Sequence, residues 1–155
     1  MIHDRGMMIN ASFVFGLDSD TPETFKSTLD WIVKNKIETV TSHILTPYPG
    51  TKLYERMDAK GRITNRDLSL YNTAHVVFQP KGMTPEQLYN GYLWIYDNIY
   101  SFKNIIRRIP KSRDQIIPYL VFNLFYRKFG RLSDKICKLL SYNKLAKLML
   151  KVSDF

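Results

Sequence analysis

The amino-acid sequence predicts a mixed α/β chain, with a parallel-sheet unit in front and helices behind it. Three observations point there. Two apolar, β-branched runs, Ile9 to Phe15 and Thr39 to Thr46, have strand character. Each is followed by a turn and a helix start, the order of parallel α/β units with right-handed crossovers. From Arg62 onward, apolar residues recur mainly at helical spacing.

Ile9 to Phe15 contains Val14 and two phenylalanines and reads as a strand buried on both faces, ended by Gly16. Thr21-Pro22-Glu23 is a helix start, with Thr21 able to cap and Pro22 suited to the first turn. Phe25, Leu29, Ile32 and Val33 then mark one buried helix face. After the second strand, Pro47-Tyr48-Pro49-Gly50 must be a loop, and Thr51 caps a short helix that stops at Gly61.

Beyond an irregular stretch, His75-Val76-Val77-Phe78 is a short apolar segment closed by Pro80 and Gly82. Thr84-Pro85-Glu86-Gln87 is a capping box with proline at the first helical position. Leu88, Tyr92, Ile95, Ile99, Phe102 and Ile106 carry one helix from there to Ile109-Pro110, with the Tyr/Trp series from Tyr89 to Tyr100 read as packing. Two more helices are expected at 113–129 and 133–151, separated by Gly130.

Composition bounds the functions. The chain has 155 residues, 45% hydrophobic and 24% charged, which suits a folded domain rather than a disordered one. Neither a signal peptide nor a membrane-spanning run is expected, so the cytoplasm is the expected location. The net charge of +9 is lopsided: residues 1–102 carry ten Lys/Arg and eleven Asp/Glu, residues 103–155 thirteen and three. An anionic partner should therefore meet the tail. A single cysteine, Cys137, excludes an internal disulfide and a three-cysteine cluster site within the chain, and its helical neighbours suggest a core position.

Ligands of parallel α/β folds lie at the carboxyl ends of the strands, here Gly16 to Thr21 and Leu45 to Thr51. Phe13-Val14-Phe15-Gly16-Leu17-Asp18-Ser19-Asp20-Thr21-Pro22-Glu23, with Thr46-Pro47-Tyr48-Pro49-Gly50-Thr51 further on, resembles the fifth and sixth strand units of radical S-adenosylmethionine (SAM) barrels. The branch with an N-terminal cobalamin (B12)-binding domain matches best, and its C-terminal extension resembles Gly61-Arg62-Ile63, Tyr71, His75 to Lys81 and Met83 to Glu86. The resemblance covers about residues 5–109.

It implies the last two strand–helix units of a partial (β/α)6 barrel over 1–61 and a family extension over 62–110, while charge and helical spacing mark a basic helical tail over 111–155. It also implies a radical SAM enzyme, in which a [4Fe-4S] cluster cleaves SAM to a 5′-deoxyadenosyl radical, with cobalamin as a further cofactor. Val14 and Gly16 match the positions that flank the adenine, and backbone around Leu45, Thr46 and Tyr48 completes that pocket. Many relatives read Pro-Gly-Glu where Asp18-Ser19-Asp20 stands, which keeps a carboxylate at Asp20. The cluster's C-x3-C-x2-C loop should lie upstream, so this chain alone is expected to be inactive and to bind neither cluster nor cofactor. No metal ligand is assigned, and no catalytic residue is identified; His43 and His75 read as packed or surface histidines, and His3 has no role.

The expected partners are the missing N-terminal part of the barrel or a separate subunit, and an organic substrate that the sequence does not name. A non-catalytic accessory subunit and a basic helical module on an anionic membrane surface are the competing readings. No nucleic-acid-binding motif is present.

Overall fold

The computed structural model describes residues 2–139, the side chains of Asp4 and of residues 129–139 excepted. Strands β1 (Asn10–Phe15) and β2 (Thr39–Ile44) pair in parallel, with Asn10 beside Thr39, Val14 beside His43 and Phe15 beside Ile44. Helix α1 (Pro22–Lys34) makes the crossover, and α2 (Lys52–Asp58) follows β2. The rest comprises α3 (Pro85–Ile99), α4 (Phe102–Arg107) and α5 (Arg113–Leu139), with a short 3-10 turn at Leu68–Leu70. The predicted strand–helix–strand–helix order is present. The second strand stops two residues early, because Leu45 and Thr46 belong to the turn into Pro47.

Local chemistry explains the starts. Thr84 and Gln87 form the reciprocal capping box at α3, each side chain accepting from the other's backbone N–H. At α1 the Thr24 hydroxyl accepts from the Thr21 N–H, while the Thr21 hydroxyl donates to Glu23.

The core lies on one side of the sheet. Phe15 and Ile44 face it, joined by Phe25, Leu29 and Ile32 of α1 and by Leu88, Ile95 and Ile99 of α3. The α1–α3 contact is close: a Cβ on Gly91 would run into the Phe25 ring. The opposite face, formed by Asn10, Ser12 and Val14 with Thr39, Thr41 and His43, is uncovered to half-covered. The expectation that Ile9 to Phe15 is buried on both faces therefore fails, since helices cover only one.

The two sheet edges differ. On the outer edge of β2 the Tyr100 hydroxyl donates to Val40 O at 2.6 Å and the Tyr96 hydroxyl to Ser42 O at 3.1 Å. Tyr96 also accepts from the Ser42 N–H, and Thr73 O accepts from the Ile44 N–H at 2.7 Å. Side chains and a loop thus replace a third strand, satisfying groups that an edge otherwise leaves open. Among the described residues, β1 has a strand on one side only.

Before β2, Arg108 is fully buried. Its guanidinium donates to Ile37 O, Glu38 O and Ile99 O, and to Asn123 Oδ1, while its Nε donates to Asn104 O. Burial pushes this guanidinium down from its ordinary value, against the opposing pull of Tyr119, Tyr100 and Glu38. Asn123 Nδ2 donates to Glu38 O as well, so α5 is tied to the sheet through a polar core.

Two helix expectations are corrected. The helix from Pro85 to Ile109 breaks after Ile99, where Ser101 caps α4 by accepting from the Asn104 N–H; Phe102 and Ile106 are exposed. Gly130 does not separate two helices, because α5 runs through it to Leu139. Its backbone ladder carries the chain past one glycine at a cost of about 1 kcal/mol relative to alanine. The predicted helical residues beyond Leu139, and the Cys137 side chain, lie outside what is described.

Candidate functional site

Parallel pairing brings the carboxyl ends of β1 and β2 together, so the loops after Phe15 and Ile44 share one rim beside the uncovered sheet face. The first loop is built around Asp20. Its carboxylate, buried with the residue, accepts from the Gly16 and Leu17 N–H groups, each at 2.9 Å. The acidic residue noted in the sequence therefore serves as a staple of the loop. Gly16 has φ +101°, a region that side chains rarely adopt. A Cβ there would lie 2.9 Å from Leu88 Cδ2 and 3.0 Å from Phe78 Cζ. The space kept free by this glycine is thus filled by the chain's own extension.

That extension grips the loop elsewhere. A Cβ on Gly82 would strike the Asp20 carbonyl oxygen. Asp18 pairs with Arg62 at 2.8 Å and Lys81 at 2.9 Å. The Lys81 and Arg62 contacts hold the Asp18 carboxyl below its ordinary value of 3.8. A depressed folded pKa gives stability that is present above the unfolded value and lost as pH falls through the folded one. Wild type should accordingly melt slightly above Asp18→Asn at pH 7, and the gap should close below about pH 4. The gap will be small because the carboxylate is half exposed. A thermal melt series across that range checks the sign.

The five predicted adenine-flanking positions are divided by burial. Val14 and Tyr48 are exposed, Leu45 is half-buried, and Gly16 and Thr46 are buried. Thr46 turns its hydroxyl back to Ile44 O. Leu45 donates its N–H to Phe15 O at 2.8 Å, which ties the two rims together. Val14 is 46% exposed beside His43, an apolar side chain on an open polar face. The register puts His43 on the face opposite to Ile44, looking onto the uncovered side. Its Nδ1 lies 3.2 Å from the Thr73 hydroxyl, and Thr73 itself has φ +63°. His75 is exposed and its Nδ1 lies 2.8 Å from Asn72 Oδ1, away from the rim residues. His3 lies 3.1 Å from Glu38. The roles of Asp20 and Thr73 were missed in the sequence, since both depend on which backbone groups the fold brings near.

Among the described residues, no group of three His, Cys, Asp or Glu side chains could hold a metal, and none of the described helices is long and apolar enough to cross a membrane.

Comparison with known proteins decides the family. A family model described as a domain of unknown function, DUF4070, matches residues 51–140. The chain belongs to this family, a C-terminal part of radical SAM enzymes. The chain is 33% identical over 130 residues to bacteriochlorophyllide d C-12(1)-methyltransferase of Chlorobaculum tepidum, covering 82% of the chain and 28% of that protein. It is 30% identical over 123 residues to the C-8(2)-methyltransferase of the same organism, covering 79% and 27%. Hopanoid C-2 methylase of Rhodopseudomonas palustris is 32% identical over 66 residues, 43% of the chain and 12% of that protein. The chain thus spans little more than a quarter of the length of the first two relatives. In DUF4070 terms, the matched region starts at the Thr51 cap and includes the extension that grips the first loop.

Proposed function

We propose that this chain supplies the last two strand–helix units of a radical SAM barrel and one wall of its SAM site, in an enzyme that methylates an organic substrate. The observation that carries this reading is the asymmetry of the sheet: β2 is sealed on its outer edge by Tyr96, Tyr100 and Thr73, while among the described residues β1 has a paired strand on one side only. A sheet that ends at β2 and continues from β1 suits a barrel whose earlier strands add beside β1, from the same polypeptide or from a separate subunit. The uncovered face would then line the barrel interior.

The open Val14 side chain suits the flat face of adenine, and the Leu45 to Tyr48 backbone borders the same rim. SAM, when bound, supplies the adenosyl group and a methyl donor. A [4Fe-4S] cluster does not fit here, since the sequence has one cysteine and such a cluster needs several thiolates. The cluster would be held by the segment that completes the barrel. A cobalamin link is inferred from the family branch that the motifs resemble. Methyl transfer is inferred from the names of the relatives, two bacteriochlorophyllide methyltransferases and a hopanoid methylase.

The test uses this chain assembled with a segment bearing C-x3-C-x2-C, reconstituted anaerobically with iron and sulfide, reduced with dithionite as the electron donor, and supplied with SAM. Formation of 5′-deoxyadenosine is measured. Val14→Asp, which sets a carboxylate against the adenine face, should lower it by about tenfold or more, whereas Val14→Ile should retain it. Equal activity of the Asp variant at unchanged thermal stability would remove Val14 and the open face from the SAM site.

A further inference from the structure

We infer that the outer side of α4 and α5 is a docking surface for an anionic lipid bilayer. Helical spacing puts Ile116, Leu120 and Leu124 on one stripe of α5, of which Ile116 and Leu120 are half-buried beside the fully buried Tyr119 and Asn123. The side left in solvent is apolar as well. Ile117 is 73% exposed, Val121 64%, Leu124 41% and Phe125 57%, at the i, i+4, i+7 and i+8 spacing of one helix face. Phe102 and Ile106, one turn apart on α4, are 57% and 65% exposed. Arg127 of α5 lies 3.8 Å from the Phe102 ring centre, so α4 and α5 are neighbours at this point.

Charge selects the occupant. Exposed Lys103, Arg107, Lys111 and Arg113 accompany these apolar residues, with Asp114 the one exposed carboxylate among the described residues from 102 onward. Residues 103–155 as a whole carry thirteen Lys/Arg and three Asp/Glu. The remaining basic tail, or a second copy of the same basic face, would meet like charge there. An anionic headgroup layer meets the cations, and its acyl boundary meets the phenylalanines, which is how interfacial helices bind. The described part of α5 does not span a bilayer, so the contact is peripheral. This inference stands apart from the SAM-site reading.

The full chain is sedimented with vesicles of phosphatidylcholine alone or with about one third phosphatidylserine, at low and high salt. Binding should require phosphatidylserine and weaken as salt rises. The pair V121E/F125E, and separately K103E/K111E, should each lower the apparent affinity by about tenfold or more. All four positions are exposed, so a cooperative melt close to wild type should confirm folding. Three results would overturn the proposal: no pelleting, equal pelleting with both vesicle types, or unchanged binding by both variants. Salt-sensitive retention on duplex DNA without vesicle binding would reassign the cations to nucleic acid. A concentration-dependent dimer lost in V121E/F125E, again without vesicle binding, would show that a second copy covers the face.

Discussion

Replacing Arg108 by methionine should destabilise the fold by about 3–5 kcal/mol, the largest effect expected of a single polar side chain here. The guanidinium is fully buried and serves four carbonyl oxygens and the Asn123 amide oxygen, drawn from the segment before β2, from α3, from α4 and from α5. Methionine keeps much of the volume but leaves these acceptors without donors in a medium that solvates them poorly. Lysine keeps the charge but not the planar fork, so it should recover only part of the loss. Urea titrations of wild type, Arg108→Lys and Arg108→Met should give stabilities in that descending order. A methionine variant within about 1 kcal/mol of wild type would mean that the carbonyls find other donors, and that this polar core is dispensable.

Gly16→Ala should cost about 2–6 kcal/mol, from two sources that a control can separate. One is backbone strain at φ +101°, about 1–3 kcal/mol. The other is crowding against Leu88 and Phe78, about 1–3 kcal/mol in a packed core. Gly50 also has a positive φ, +83°, but a Cβ there meets nothing within 4 Å. Gly50→Ala should therefore carry strain alone and be the milder change. The difference between the two melts measures the packing of the extension against the rim. Because the Asp20 carboxylate holds the Gly16 N–H, the substitution should also disturb the loop that borders Val14. Equal losses at both glycines would show that the extension yields freely, and that Gly16 is needed only for its backbone conformation.

Residue chemistry alone was enough for the order of the elements up to Gly61 and for the start of α3. Proline after a capping threonine, strand runs of β-branched residues and a Pro-Gly turn act within a few positions, so no distant contact is needed to read them. The motif from Phe13 to Glu23, with Thr46 to Thr51, also pointed to the family that the comparison then showed. By contrast, helical spacing from Leu88 to Ile106 concealed the break at Tyr100-Ser101, because Phe102 and Ile106 are apolar without being buried. Spacing tells which residues share a face, and only packing tells which face is covered.

The same limit separates the two halves of the site. That Val14, Gly16, Leu45, Thr46 and Tyr48 belong to strand ends followed from the local sequence. Tyr96 and Tyr100 look like any helix-packing tyrosines until α3 sets their hydroxyls against the β2 backbone. Asp20 looks like a ligand-facing acid until the loop folds its carboxylate onto Gly16 and Leu17. Arg108 looks like one more cation of a basic tail until four segments turn their acceptors toward it. In each case the side chain's role is set by backbone groups up to 71 residues away in the chain. Local residue chemistry was enough for the α/β order, the motif that marks the family and the positions of the strand ends. Which sheet edge is sealed, which face stays open and which charges are buried were decided by the tertiary structure, because a hydrogen-bonding group acquires its role only when a distant partner is brought within reach.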